Sequence, residues 1–322
     1  MKCCLLKSDY QTNSNTLILT IMPKLLRYTA ITILVLAFLL LGVAEGFLHY
    51  ALQPTLKNEP PGAWCDSVMR CKALRDTFIV SRATGDSIHA WYLRADSATE
   101  KVAVLVHGYT DNALWMGSVA SIYDRELHYN ILLPDLHYHG LSKGDYVQMG
   151  WKDRLDVLQW CALADSLFGG DTRQVLHGVS MGAATVMSVS GEHLPDYVTC
   201  FVEDCGYTSV WDEFSNELDA RFHLPPFPVM HITSWLCKVQ NGWSFREASP
   251  LAQVAKCDRP MLFIHGDSDT FVMTEMVHRL YATKQGVKQL WIAPGTAHAQ
   301  AYRDHTAEYT ARVCDFVRMY NN

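Results

Sequence analysis

The sequence has little charge, and its charges form no blocks. Charged residues make up 19% of the 322 residues, and the 27 basic and 33 acidic side chains give a formal net charge of -6. Proteins that bind nucleic acid carry a clustered basic surface that neutralises phosphates. The sequence therefore predicts no nucleic-acid partner. Hydrophobic residues make up 49%, which excludes a disordered chain and is enough for a large buried core.

Cysteine patterns typical of metal or redox sites are also missing. None of the ten cysteines forms a CxxC pair, which argues against a zinc ribbon or a thioredoxin-like site. Cys161, Cys200 and Cys205 lie in apolar stretches, where a thiol packs as a small hydrophobic side chain. Whether Cys65 and Cys71 form a disulfide is left open, because sequence does not fix connectivity. We expect no metal and no cofactor.

One long apolar run lies near the N-terminus, from Tyr28 to Ala44, and carries no charge. It is at the short end of the roughly 17 to 25 residues that span a bilayer, and just longer than the core of a signal peptide. Lys24 and Arg27 precede it, which predicts that this flank stays in the cytoplasm and that the chain after Glu45 is translocated. The small residues at 42–44 leave cleavage before Glu45 open, but we favour an uncleaved anchor.

The chain is thereby divided into four segments. Upstream of Met22 we expect an N-terminal extension, then the membrane segment, then a linker whose prolines lie between Gln53 and Gly62, and then one folded domain. We expect that domain outside the cytoplasm, bound to the membrane through the N-terminal segment or secreted if that segment is cleaved. The four predicted segments are residues 1–21, 22–49, 50–74 and 75–322.

The folded domain alternates short apolar runs with longer helical patterns, which is typical of βαβ units and of a parallel sheet. We predict an α/β fold with a mostly parallel, eight-stranded sheet flanked by helices. The predicted strands are Thr77–Val80, Ile88–Leu93, Val102–Val106, Asn130–Leu133, Gln174–Leu176, Val198–Val202, Met261–Ile264 and Gln289–Ile292. The predicted helices are Trp151–Phe168, Ala183–Glu192, Thr274–Thr283 and Arg303–Met319.

The stretch from Gly206 to Pro250 breaks this alternation and is rich in Trp, Phe and Pro. Ligands of open α/β folds bind at the edge of the sheet where the strands end. We therefore predict a short helical cap over that edge, inserted at about residues 206–250. A helical excursion that covers only the flank of the sheet is the alternative.

The segment Gly178-Val179-Ser180-Met181-Gly182 directly follows an apolar run and opens a stretch of small residues. A strand, a sharp turn and a helix form the context of a nucleophile elbow. Gly178 and Gly182 have a physical role there, because only residues without a Cβ let the strand and the helix approach so closely. Ser180 is therefore the candidate nucleophile.

A serine nucleophile needs a base, and the base needs an orienting carboxylate. Both appear downstream of Ser180, each after a predicted strand. Asp267 and Asp269 follow Met261–Ile264, and Asp204 at the end of an earlier strand is a third candidate acid. His298 lies in the loop after the last strand, whereas His305 falls inside the following helical pattern, so His298 is the candidate base.

Three motifs together resemble the α/β-hydrolase superfamily, and most of all its serine-aminopeptidase-like and monoglyceride-lipase-like branch of bacterial hydrolases. They are Gly178-Val179-Ser180-Met181-Gly182, His265-Gly266-Asp267-Ser268-Asp269 and Ala297-His298, and the resemblance covers about residues 75–320. It implies that Asp269, three positions after the glycine of the His-Gly pair, is the acid. Asp267 is then a turn carboxylate that bonds its own backbone.

The oxyanion of an acyl-transfer intermediate needs hydrogen-bond donors that are already in place. The backbone N–H of Met181 is one expected donor. The resemblance implies the second, because His107-Gly108-Tyr109 is similar to the family's His-Gly-x element, which makes the N–H of Tyr109 the candidate and His107 a structural brace. His137 and His139 lie in a segment that shapes loops in the family, and they lack a third metal ligand at a recognisable spacing.

These residues predict a serine hydrolase that acts on a small-molecule acyl ester or amide. His298, oriented by Asp269, takes the Ser180 proton as the hydroxyl attacks the carbonyl. A carboxylic ester hydrolase is the first interpretation. The alternatives are a peptidase of the serine-aminopeptidase type, an acyltransferase, or a non-catalytic binding module with the same fold.

Overall fold

The computed structural model describes residues 5–57, 62–71 and 73–321. Its centre is an eight-stranded sheet with the strand order β1-β2-β4-β3-β5-β6-β7-β8. β2 pairs antiparallel with β1 and with β4, and all other neighbouring strands are parallel. The strands are Arg75–Val80 (β1), Ser87–Leu93 (β2), Lys101–Val106 (β3), Asn130–Pro134 (β4), Arg173–Val179 (β5), Val198–Asp204 (β6), Met261–Gly266 (β7) and Lys288–Ala293 (β8). The predicted fold class is confirmed, with each strand within a few residues of its predicted ends.

Helices cover both faces of this sheet. They are Leu5–Leu52 (α1), Ala63–Arg70 (α2), Gly117–Arg125 (α3), Asp153–Phe168 (α4), Met181–Ser190 (α5), Val210–Phe222 (α6), Val229–Asn241 (α7), Pro250–Val254 (α8), Glu275–Thr283 (α9), Ala301–Asp304 (α10) and Thr306–Tyr320 (α11). Side chains alternate across the sheet, as the pleat of a strand requires. On β5, for example, Leu176 lies in one hydrophobic cluster and its neighbour Val175 in the cluster on the other face.

The helix predicted over Arg303–Met319 is interrupted at His305. That residue leaves helical geometry, with φ at -134°, and separates α10 from α11. Its Nε2 atom lies 2.9 Å from the carbonyl oxygen of Pro294, to which it donates a hydrogen bond. The bond ties the start of α11 to the loop after β8, which a helical pattern in the sequence does not reveal.

The last turns of α1 belong to the folded domain. Ala44, Leu48 and Leu52 are buried, and Leu48 and Leu52 join the larger hydrophobic cluster. The hydroxyl of Thr233 on α7 donates to the carbonyl of Ala44 over 3.2 Å. Most of the large apolar side chains that α1 carries between Leu26 and Val43 are exposed, and Leu40 is half-buried. Among the described residues, α1 is the one helix long and apolar enough to cross a membrane.

The linker predicted over residues 50–74 is more ordered than its composition indicates. Its first residues complete α1, and α2 packs Trp64 and Cys65 against the domain, because both side chains are buried. The indole N–H of Trp64 donates to Asp124 over 2.8 Å. A few buried side chains dock this short helix, and composition averages their contribution away. Residues 58–61 and 72 of the predicted linker lie outside the described residues.

The cysteines of the described chain are all free thiols. Cys65, which the sequence left as a possible partner of Cys71, is buried, and its Sγ atom lies 3.2 Å from the carbonyl oxygen of Leu114. Cys71 is exposed. Residues 5–21 of the predicted N-terminal extension continue α1 as helix, whereas residues 1–4, with Cys3 and Cys4, lie outside the described residues.

The packing of α1 predicts that its two ends respond differently to the same substitution. Leu52 is 1% exposed and Leu39 is 62% exposed. We expect Leu52→Ala to lower the free energy of unfolding of the domain by about 2 to 5 kcal/mol, as for buried leucines elsewhere. Leu39→Ala should leave it unchanged. Thermal unfolding of the full chain in detergent, followed by tryptophan fluorescence, checks this, and equal effects of the two variants would contradict it.

Candidate active site

Ser180 lies in a sharp turn between β5 and α5. Its backbone has φ at 57° and ψ at -118°, a conformation that residues with a side chain rarely adopt. Its N–H donates to the carbonyl of Asp204 over 2.8 Å. A Cβ on Gly178 would lie 2.1 Å from the carbonyl oxygen of Gly182, and a Cβ on Gly182 would lie 2.0 Å from that of Val106. Only glycine fits at both positions, so the local geometry is that of the predicted elbow.

The structure brings Ser180, His298 and Asp269 into one hydrogen-bonded chain. The Oγ atom of Ser180 lies 2.8 Å from Nε2 of His298, and Nδ1 of His298 lies 2.7 Å from Oδ2 of Asp269. Because a carboxylate oxygen accepts, Nδ1 carries the proton and Nε2 is free to accept the serine proton. This is the arrangement in which an imidazole turns a serine hydroxyl into a nucleophile.

Asp269 is held by four donors. Its Oδ1 atom accepts from the backbone N–H groups of Phe271 and Val272, over 2.9 and 3.0 Å. Oδ2, which accepts from His298, also lies 3.3 Å from Nε2 of His265. Burial alone would raise the pKa of Asp269, but the hydrogen bonds from His265 and His298 outweigh it and hold the pKa at about 2. Asp269 is therefore ionised at neutral pH, with its Oδ2 atom beside Nδ1 of His298.

His265 has a role that its motif alone did not indicate. Its Nε2 also donates to the carbonyl of Val272 over 2.9 Å, so it clamps the loop that carries Asp269. Burial lowers the pKa of His265, but the hydrogen bond to Asp269 and the nearby Glu203 raise it overall. His265 is thus a positioning residue for the acid. The signal in the sequence was its place directly before Gly266 at the end of a buried strand.

Within the described structure, the side chains of the three rival residues make no hydrogen bond to the side chain of Ser180 or His298. Asp267 is exposed and accepts from the hydroxyl of Ser268 over 2.8 Å. The Oδ2 atom of Asp204 accepts from the hydroxyl of Tyr309 over 3.0 Å, and burial raises its pKa to about 6. His305 faces the loop after β8. The geometry therefore favours Asp269 as the acid and His298 as the base.

The predicted oxyanion loop lies against the nucleophile. A Cβ on Gly108 would be 3.5 Å from the Cβ of Ser180. The N–H of Tyr109 has no acceptor among the described residues, and the same holds for the N–H of Met181, the first residue of α5. Unpaired N–H groups at a helix start attract negative charge. That these two N–H groups hold an oxyanion stays a prediction.

His107 holds this loop in place through both of its ring nitrogens. Its Nδ1 donates to the carbonyl of Gly108 over 2.8 Å, and its Nε2 accepts from the N–H of Leu136 over 3.0 Å. Burial lowers its pKa, so the ring is neutral. His139 is bonded through both nitrogens in the same way, to the carbonyl of His137 and the N–H of Thr110. These histidines fasten loops together.

A cavity of about 450 Å³ opens at Ser180, within the usual range for small-ligand sites. Most of its lining is aromatic or aliphatic, and three parts of the chain supply the larger share of it. The residues predicted as a cap supply one wall and the nucleophile region with the oxyanion loop a second. The end of α1 supplies a third, which sequence reasoning missed. The apolar lining includes Phe47, Tyr50 and Ala51 of α1, Phe214, Leu218, Phe222, Met230 and Phe245 of the cap stretch, and Tyr109, Met181 and Phe271.

Glu213 is a buried carboxyl group in this mostly apolar lining. It is 3% exposed, and its Oε2 atom has no hydrogen-bond partner among the described residues. Burial raises its pKa well above the usual range for a carboxyl group, which favours the protonated form. The sequence carried no signal for it, because a glutamate in the first turn of a helix is ordinary.

Comparison with known proteins gives matches to hydrolases. Residues 136–322, more than half of the chain, match the sequence profile of the prolyl oligopeptidase family. The uncharacterized protein YqkD of Bacillus subtilis is 29% identical over 248 residues, which cover 77% of this chain and 81% of that protein. The esterase Pf2001 of Pyrococcus furiosus superposes with a TM-score of 0.65 at 22% identity, covering 83% of this chain and 100% of the esterase. The acylaminoacyl peptidase of Pyrococcus horikoshii gives a TM-score of 0.55 at 16% identity, covering 79% of this chain and 43% of the peptidase.

The geometry predicts which aspartate supports the base. We expect Asp269→Asn to lower kcat by about 10³- to 10⁴-fold, because an amide neither fixes the tautomer of His298 nor stabilises its charge. Asp267→Asn makes the same chemical change two residues away, on an exposed side chain, and should keep the wild-type rate. Hydrolysis of a soluble p-nitrophenyl ester measures both. A comparable fall in the two variants would count against Asp269 as the acid.

Proposed function

The chain belongs to the prolyl oligopeptidase family of α/β-hydrolases, and we propose that this serine hydrolase cleaves carboxylic esters through an acyl-enzyme on Ser180. The observation that carries the proposal is the chain of hydrogen bonds from Ser180 through His298 to Asp269. A mostly apolar cavity opens at the Ser180 end of this chain. Nucleophile, base and acid are thus side by side, and the cavity offers room for an acyl group.

The reaction runs in two halves. In the first, Oγ of Ser180 bonds to the carbonyl carbon while its proton passes to Nε2 of His298. The N–H groups of Tyr109 and Met181 bind the oxyanion, and His298 then gives the proton to the departing alkoxide. In the second half, water attacks the acyl-serine, His298 takes a proton from it, and the proton returns to Ser180 as the acid leaves. Asp269 stays ionised throughout.

The lining of the cavity favours an ester with an apolar acyl group. Aromatic and aliphatic side chains bind hydrocarbon by burying its surface, which contributes about 0.8 kcal/mol per methylene. The likeness to the esterase Pf2001, which this chain covers over its whole length, also supports an ester substrate. A peptidase is the second candidate, because the matched family is named for a peptidase and the acylaminoacyl peptidase shares the fold.

A fluorophosphonate probe tests the nucleophile, and a substrate panel tests the bond. We expect the probe to label the full-length protein and to lose that labelling in Ser180→Ala, while Ser166→Ala, a change at an exposed serine on α4, is labelled like the wild type. We expect turnover of p-nitrophenyl esters and little turnover of aminoacyl p-nitroanilides. Equal labelling of Ser180→Ala would overturn the mechanism. Faster cleavage of the anilides would favour the peptidase.

We also infer that α1 crosses a membrane and places the hydrolase domain on the far side from the cytoplasm. Lys24 and Arg27 precede the apolar run, and positive flanks remain on the cytoplasmic side. The exposure of the large side chains between Leu26 and Val43 supports contact with lipid. The docked end of α1 supports an uncleaved segment, since the helix continues without a break into the domain.

The thiol of Cys71 offers a test of this placement, because it is the one exposed cysteine in the described part of the chain. A membrane-impermeant maleimide added to intact cells should label the wild type and not Cys71→Ser. Labelling of Cys71 only after the cells are permeabilised would contradict the placement. Intact-mass measurement of the same sample reports cleavage, since removal of the segment before Glu45 would shorten the chain.

A further inference from the structure

We propose that the site takes its substrate from the membrane: an ester with a fatty-acyl chain dissolved in the leaflet in which α1 ends, reached while the outer face of α7 rests on that leaflet. The proposal rests on the proposed ester hydrolysis and on α1 as an anchor. It adds the substrate class, the route of entry and a surface that the proposed function does not require.

The cavity lies just beyond the end of the exposed apolar run of α1. The exposed apolar run ends at Val43, and Ala44 is fully buried. At 1.5 Å per residue, Phe47 lies about 6 Å and Ala51 about 12 Å beyond Val43 along the helix axis. The polar headgroup region is about 5 to 8 Å thick on each side of a hydrocarbon core of about 30 Å. Since both residues line the cavity, the cavity begins at the headgroup level.

Direct contacts join the end of α1 to the candidate site. The ring of Phe47 packs edge-on against that of Phe222, with centroids 4.9 Å apart. The guanidinium of Arg221 donates to the hydroxyl of Tyr50 over 3.3 Å. The hydroxyl of Tyr109, in the oxyanion loop, donates to the carbonyl of Ala51 over 2.8 Å. The height of the site above the bilayer is therefore fixed by α1.

The outer side of α7 carries exposed apolar side chains. Trp235 and Val239 lie one helical turn apart and are 57% and 63% exposed, whereas Met230 and Cys237 on the other side of the helix are buried. Side chains four residues apart share one face of a helix. Phe227, just before α7, is exposed as well. Single exposed apolar side chains are normal on a soluble surface, but Trp235 and Val239 side by side on one face of α7 form an apolar patch.

This patch lies on a helix that is hydrogen-bonded to the end of the membrane segment. Thr233 on α7 hydrogen-bonds to Ala44, and the amide of Gln240 donates to the carboxylate of Glu45 over 2.8 Å. α7 thus crosses α1 at the residue where the exposed apolar run ends, and its buried side faces the domain. Its outer side is exposed next to this junction, since Trp235 lies two residues from Thr233 along the helix. Tryptophan is enriched at membrane interfaces because its ring is apolar and its N–H polar.

The test uses the full-length protein in phosphatidylcholine vesicles with two probes. p-Nitrophenyl acetate reaches the site from water, and p-nitrophenyl palmitate is dissolved in the bilayer. We expect Trp235→Asp combined with Val239→Asp to lower the rate for palmitate by about tenfold or more, because charged groups hold this face off the lipid. The rate for acetate should stay within about twofold of the wild type.

Met319→Asp is the matched control, because Met319 is 59% exposed on α11, which packs on the opposite face of the sheet from the end of α1. This variant should leave both rates unchanged. A parallel loss of both rates in the double variant, or no loss of either, would overturn the proposal. If the double variant converts a dimer to a monomer, the face is covered by a second copy of the chain and the proposal is wrong.

The two rates of the wild type distinguish a failure of the membrane route from a failure of the proposed ester hydrolysis. Hydrolysis of acetate without hydrolysis of palmitate would leave the esterase standing and overturn the membrane route. Hydrolysis of neither ester would overturn the esterase and the membrane route with it.

A substitution in the wall supplied by α1 tests the acyl chain independently. Ala51→Phe adds a ring to the cavity lining, and we expect the ratio of the decanoate rate to the acetate rate to fall by about tenfold, since roughly two methylenes lose their place. Ala162→Phe, at an exposed alanine on α4, should keep the wild-type ratio. An unchanged ratio in Ala51→Phe would mean that the acyl chain lies elsewhere and would overturn this assignment of the wall.

Discussion

The turn at Ser180 is the constraint on which the rest of the site depends. Its strained backbone is held by the hydrogen bond to Asp204 on β6, and Gly182 meets the carbonyl of Val106 at the end of β3. The predicted oxyanion loop starts at the next residue after Val106, so the same close contact sets the distance between that loop and Ser180. Three strands are thereby fixed relative to one another at the edge of the sheet that carries the candidate site.

Around that turn, the fold gives similar acids different charges. Asp269 accepts from two histidines and two backbone N–H groups, and its pKa is held at about 2. Glu203, one strand away, accepts from the N–H of Gly206, and burial raises its pKa to about 8. Glu203 is therefore mostly neutral at pH 7 while Asp269 is charged. Environments that separate the pKa values of nearby acids are typical of active sites. The negative charge of Asp269 lies beside Nδ1 of His298.

How far the sequence was informative depended on whether a feature was local. Buried strands read as continuous apolar runs, and the elbow is one short segment, so the sheet and Ser180 were predictable. The wall formed by Phe47 and Tyr50 was not, because aromatic residues after an apolar run indicate the end of an anchor whether or not that end packs back. The helix α2 in the predicted linker was not predictable either, because only a few of its side chains, such as Trp64, pack on the domain. Contacts between distant segments leave no period in the sequence.

The boundary within α1 has a consequence for the open question of cleavage. A cut before Glu45 would fall between the exposed run and the docked end, so the stretch from Glu45 to Leu52 would remain with the domain. Such a short helix is marginal by itself, but Leu48 and Leu52 in the core hold it in place. The cavity would then keep its third wall with or without the membrane segment. Cleavage decides where the enzyme meets its substrate, and the docked end of α1 helps to decide what the cavity accepts.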